Sequence, residues 1–209
     1  MSLPLRLLAA AGLLGMTGAC SILPQGQPND VYRLPVQQAS QAATPVAWSL
    51  RVNKPLASEV LAGPRIAVIP QGNVISSYQG ARWSDPVPLL VRNRLLDAFQ
   101  RDGRVSRLSA DDSNLQADYE LVGELSAFQS EYRQEGGVDV LIRYDARLVL
   151  GRSQRILASR RFEVRQPLTD TQVPGVVSGF GVAGDRLARQ LVDWTVAQAS
   201  REQAQAKNQ

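Results

Sequence analysis

Residues 138–150 constrain the fold most tightly. Val138, Val140, Ile142, Tyr144, Ala146, Leu148 and Leu150 take every second position, with Asp139, Arg143, Asp145 and Arg147 between them. Alternation of this kind suits a strand with one face in a core and the other in water, and a helix cannot gather such positions on one side. After a turn at residues 151–154 the pattern resumes, with Ile156, Ala158, Phe162 and Val164 set against Arg155, Ser159, Arg161, Glu163 and Arg165. Before it, residues 118–132 place Tyr119, Leu121 and Leu125 in phase, with Gly123 as a bulge position, and residues 134–137 form the intervening turn. Three strands joined by tight turns predict an antiparallel meander with one wet face. Its outward Arg, Asp and Glu side chains are spaced to form cross-strand ion pairs in solvent, each worth about 0.2–1 kcal/mol.

A sheet with one apolar face needs a cover, and two segments have helical periodicity. Within residues 64–105, a short strand (66–69), a second extended segment (73–78) and a turn at Gln79-Gly80 lead into the clearer helix. Ser84 or Asp85 is placed to cap it, Pro86 falls in its first turn where a missing donor costs nothing, and Gly103 ends it. Val87, Val91, Leu95 and Ala98-Phe99 make its apolar stripe, and Arg92, Asn93, Arg94, Asp97, Arg101 and Asp102 point elsewhere. The second helix covers residues 173–199, with Val176, Phe180, Ala183, Leu187, Leu191 and Trp194 on one face. Gly175, Gly179, Gly181 and Gly184 make its first half a poor helix, so that half is expected to be irregular, and the polar tail 200–209 to fray. Further strands are expected at residues 31–34, 46–54 and 104–109, the second with Trp48, Leu50 and Val52 facing the core. A helical turn is expected in 55–63 and polar loops at 37–44 and 111–114. The predicted fold is α/β of the α+β kind: a two-layer sandwich in which two main helices pack on one face of a mixed, largely antiparallel sheet.

The chain contains no histidine, which excludes His-based triads, His general bases and His metal sites. One cysteine, Cys20, excludes an intramolecular disulfide and a Cys-rich metal site. Asp111-Asp112-Ser113-Asn114 lacks the ligand spacing and the later Glu of a calcium loop and reads as a solvated turn. The net charge of +4 is spread among acids without a basic block, so nucleic acid is not an expected partner.

Residues 1–19 read as a secretion signal. The apolar run 7–20 is fourteen residues, too short for a helix to span a bilayer core of about 30 Å, and Gly18-Ala19 supply small residues ahead of Cys20. The arrangement resembles a bacterial lipobox, which implies cleavage before Cys20 and acylation of its thiol. Several acyl chains, at about 0.8 kcal/mol per buried CH₂, would anchor the terminus firmly. Ser21 differs from the Asp that resembles an inner-membrane retention signal, which points to the outer membrane and its periplasmic face. The expected organisation is therefore a signal peptide (1–19), a lipidated terminus and spacer (20–30), a single domain (31–199) and a polar tail (200–209).

The order of motifs over nearly all of the mature chain resembles the ABC-type transport auxiliary lipoproteins, the outer-membrane partners of Pqi-type MCE lipid transporters. The resemblance rests on Cys20, Tyr32-x-Leu34, Trp48-Ser49-Leu50-x-Val52, the Tyr78 to Phe99 block with Trp83-Ser84-Asp85-Pro86, and Ala117-Asp118-Tyr119-Glu120-Leu121-x-Gly123-Glu124-Leu125. It extends through Leu157-Ala158-Ser159-Arg160-Arg161-Phe162 and Val192-Asp193-Trp194. It implies a non-catalytic subunit with no cofactor and no metal, docking a periplasmic MCE protein at the outer membrane. A homo-oligomeric ring matching the symmetric MCE ring would add avidity. Tyr78, Arg82, Trp83 and Phe180, within the turn 78–83 and the glycine-rich segment 175–184, are the candidate partner contacts. Two other classes stay open: an outer-membrane lipoprotein that regulates a cell-wall synthesis enzyme, and a carboxylate-dependent enzyme. Replacing Cys20 by Ala is expected to leave an uncleaved or soluble species. Mass spectrometry finding an unmodified mature terminus at another residue would contradict the lipid anchor.

Overall fold

The computed structural model describes residues 28–36 and 44–207, so Cys20, the expected signal and most of the expected spacer lie outside the described residues. Strand β7 (Tyr119–Tyr132) is the spine of a sheet that has nine strands among the described residues. One edge pairs antiparallel along its whole length with β8 (Val138–Leu150), which pairs in turn with β9 (Arg155–Pro167). The other edge takes three short strands in succession, all parallel to it: β2 (Ser49–Val52), β3 (Leu56–Ala57) and β4 (Arg65–Gln71). Outside β2 lies β6 (Arg107–Ala110), in parallel register. Outside β4 lies β5 (Val74–Trp83), antiparallel, and β1 (Asp30–Tyr32) runs parallel to β5 at the sheet edge. The short helix α1 (Glu59–Ala62) joins β3 to β4, and α2 (Val87–Asp102) and α3 (Val173–Lys207) are the main helices. They lie against each other, with α3 over β8 and β9. This is the expected α+β architecture; the parallel pairs are all short, formed by β2, β3 and β4 on β7, by β6 on β2 and by β1 on β5.

The core lies between the helices and the inner face of the sheet. Trp48, Leu50, Val52, Leu121, Leu125, Ile142, Tyr144 and Leu148 are buried there, as the alternation requires. Gly123 is not the bulge: the ladder slips between Leu125 and Ala127, and Gly123 is small because the Tyr144 ring lies over it. A Cβ at Gly123 would stand 2.4 Å from that ring. A second slip lies between Leu148 and Val149, whose partners are Ala158 and Ile156, leaving Leu157 extra. It turns Ile156 outward, where alternation alone had placed it inward.

In α2 the apolar stripe is as expected, with Val87, Val91, Leu95 and Phe99 buried. Its start differs. Neither Ser84 nor Asp85 caps it; the Ser84 hydroxyl donates to the Asp85 carboxylate at 2.8 Å, and the Pro86 carbonyl takes the first helical N–H groups from Leu89 and Leu90. Gly103 closes the helix at φ +77°, donating its N–H to the Phe99 carbonyl at 3.2 Å. Arg92 and Arg94, expected in solvent, are buried. The chain reverses between β4 and β5 at Gly72 (φ +53°), not at Gln79-Gly80; Gly80 lies within β5 where the register slips from Ala67–Ser77 to Arg65–Arg82.

Helix α3 is continuous from Val173, against the expectation of an irregular first half. Its glycines mark close approach. A Cβ at Gly179 would meet Leu168 at 2.2 Å, and one at Gly181 would meet Pro35 at 3.0 Å. Packing gained at these contacts offsets their low helix propensity, about 1 kcal/mol each relative to Ala. The tail stays helical through Lys207, with Arg155 on β9 paired to Glu202 at 2.7 Å. Leu95→Ala, at a fully buried site, is expected to cost about 2–5 kcal/mol. A urea melt that coincides with the parent's would contradict the docking of α2 through this face.

Candidate docking surface

Trp83 and Phe180 are fully buried. Phe180 stacks on Phe128 with ring centroids 4.6 Å apart, and Trp83 meets Phe180 edge-on at 5.2 Å and Phe128 at 6.0 Å. The three rings tie β5, β7 and α3 together, so Trp83 and Phe180 are core residues and not partner contacts. The segment 175–184 is likewise turned inward, with Val176, Val177 and Ala183 buried beside Phe180. Tyr78 is half-buried; its hydroxyl shares a 2.9 Å hydrogen bond with the Ser130 hydroxyl, and burial raises its pKa above the ordinary phenol value. Arg82 is exposed. Cys20 lies outside the described residues.

Half of the strand arginines, Arg51, Arg143, Arg155, Arg161 and Arg165, are paired with acids. On the outer face Arg143 pairs with Glu163 at 2.8 Å, Arg161 with Asp145 at 2.6 Å and Arg165 with Glu131 at 2.9 Å, as the alternating charges predict. Arg92 gathers Asp111 at 2.6 Å and Asp112 at 3.1 Å, so the acidic pair serves a buried guanidinium. Between the helices, Arg94 of α2 faces Asp185 of α3 at 3.1 Å, both nearly excluded from solvent. At the starts of β2 and β7, the Asp118 carboxylate accepts from the Ser49 N–H and hydroxyl, both at 2.8 Å.

Three further arginines converge at one edge of the sheet. Arg65 and Arg82 are direct cross-strand partners, Arg82 also stands opposite Val31 of β1, and Arg33 follows two residues later. All three are exposed and none makes an ion pair among the described residues. Like charges facing each other across a ladder are unfavourable. The outer sheet edge therefore carries a positive patch without an internal partner. Sequence reading found Arg82 but missed Arg33 and Arg65, because they converge only through the pairing of β1, β4 and β5.

The profile of the family described as the ABC-type transport auxiliary lipoprotein component matches residues 32–192, and the chain belongs to that family. It is thus a lipoprotein of the transport-auxiliary kind. An uncharacterised protein of Bradyrhizobium diazoefficiens is 31% identical over 187 residues, 89% of this chain and 49% of that protein, so the chain spans about half the length of this curated relative. The crystal structure of a Xanthomonas campestris protein superimposes with a TM-score of 0.78 at 28% identity, covering 84% of this chain and 99% of that one. Another uncharacterised protein of known structure shares the fold, with a TM-score of 0.61, 16% identity, and 79% and 97% coverage.

Several carboxylates have depressed pKa values in the fold: Asp118 through the Ser49 N–H, Asp145 through Arg161 and Glu163 through Arg143. A depressed folded-state pKa gives stability that is present above the ordinary carboxylate range, about pH 4, and lost as pH falls through it. The urea midpoint is expected to fall between pH 6 and pH 3, and by less in Asp118→Asn. A midpoint that is flat over this range would contradict these assignments.

Proposed function

We propose that the chain, lipidated at Cys20, stands on the periplasmic side of the outer membrane and docks an MCE assembly through the Arg33–Arg65–Arg82 edge, so serving a lipid-transporting ABC system without doing chemistry itself. Family membership supports the transport setting. The observation that carries the docking surface is the pair of facing, exposed arginines at positions 65 and 82, flanked by Arg33. An acidic partner surface would relieve their mutual repulsion and steer its own approach, a contribution made mainly to the association rate. The partner is thus an MCE protein with carboxylates at its outer-membrane end. Assembly of the lipoprotein into a matching ring would multiply weak contacts by raising their effective concentration.

Arg65→Glu with Arg82→Glu is expected to slow association with the periplasmic part of an MCE protein from the same genome by about tenfold or more at low salt, with thermal stability unchanged. Biolayer interferometry across a salt series measures this. An association rate unaffected by the reversal would remove the edge from the interface, and capture of a cell-wall synthase in place of the MCE protein would replace the reading. Native mass spectrometry of the complex tests the ring separately; binding by a strict monomer removes only the ring.

A further inference from the structure

We infer that the tip of the β4–β5 hairpin is a second membrane contact, which seats Val74, Ile75 and Tyr132 in the interfacial layer of the bilayer that holds the anchor; the inference rests on lipidation at Cys20. Residues 66–81 form a run of sixteen positions without one charged side chain. At its turn Val74 is 62% exposed and Ile75 41% exposed. Because β4 runs parallel to β7, the end of β7 comes to the same place and adds Tyr132, 47% exposed. Two aliphatic side chains and a tyrosine at a sheet corner have the composition that interfacial membrane contacts use, with the aromatic ring at the headgroup level. The other large exposed apolar residues, Val31, Val36, Leu56, Val60, Leu115 and Ile156, each lie within three residues of a charged side chain, as Tyr132 does between Glu131 and Arg133, whereas the nearest charges to Val74 and Ile75 in the chain are Arg65 and Arg82.

The tether directs this corner at the membrane. Strand β1 is parallel to β5 and begins with Asp30 opposite Ala81, so the chain arriving from Cys20 enters on the hairpin side. From Ala81 back to Val74 is seven residues, roughly 23 Å of strand at about 3.3 Å per residue. From Cys20 to Asp30 is ten residues, at most about 35 Å when fully extended. With the hairpin pointing down, even a taut tether leaves the tip within roughly 12 Å of the anchored cysteine, and any slack brings it into contact. A lipid surface is therefore the occupant that the anchor itself delivers. The tip needs little affinity of its own, since the anchor makes its contact intramolecular.

The test uses the acylated full chain in phosphatidylethanolamine–phosphatidylglycerol vesicles, with Trp introduced as Ile75→Trp and, separately, as Val74→Trp. Both positions are exposed, and the native Trp48, Trp83 and Trp194 are buried and supply a parent background. Lipid-dependent blue-shifted emission, quenched by brominated acyl chains, is expected at both positions, with no quenching for Ser159→Trp on the outer sheet face. Vesicle flotation with unquenched, water-like emission at 74 and 75 would overturn the hairpin contact alone. A blue shift without bromine quenching would assign the tip to a protein interface and also overturn it, as would quenching at 159 in place of 75. A parent protein that fails to float with the vesicles would overturn the anchor, and this inference with it.

Discussion

The two edges of β7 do different jobs, and the rest of the molecule depends on that division. One edge is committed along its whole length to an antiparallel ladder with β8, slipped once between Leu125 and Ala127, which sets the register of the meander and builds the inner face on which α3 lies. The other is shared by β2, β3 and β4, which reach it in chain order and in parallel. Neither β2 nor β3 is long enough to stand as an independent strand, so β7 supplies the backbone partners that their N–H and C=O groups require. Side chains then lock this arrangement from the helix side. Trp83, Phe128 and Phe180 join three elements at one cluster, and Arg94 with Asp185 joins the two helices where a buried charge would be costly without its counter-charge.

From this frame follows a sheet edge with two unlike ends. The hairpin turn lies at one end of β5, uncharged and with Val74 and Ile75 exposed; Arg65 and Arg82 lie at the other, with Arg33 beyond them. Strand β5 spans ten residues, so these ends are separated by about 30 Å of strand at ordinary rise. A membrane contact at the turn would hold the basic edge away from the lipid and toward the periplasm, where a partner would meet it. On the other side of β7, the outer face of the meander carries ion pairs of its own.

Alternation made the meander legible: residues 138–150 read as a strand with the same limits that β8 shows. It failed where the ladder slips, at Leu157, at Gly80 and between Leu125 and Ala127, because an extra residue inverts the faces after it without changing composition. The stripe of α2 was legible for the same reason that the meander was, but burial of Arg92 and Arg94 was not, since their partners Asp111 and Asp185 come from distant parts of the chain. Helix α3 was underrated because a glycine's low propensity is visible in sequence and the Leu168 and Pro35 contacts that offset it are not. At the candidate surface, Trp83 and Phe180 read alike as contact or core residues until the fold stacked them around Phe128. Arg82 was found, whereas Arg33 and Arg65 join it only once three strands are in register.

Photo-crosslinking in living cells tests most directly whether the basic edge is the docking site. A photoreactive phenylalanine analogue at position 82 is predicted to form an adduct with an MCE protein, while the same group at position 159 on the outer face of the meander forms none. An MCE adduct from position 159 and none from position 82 would contradict the account.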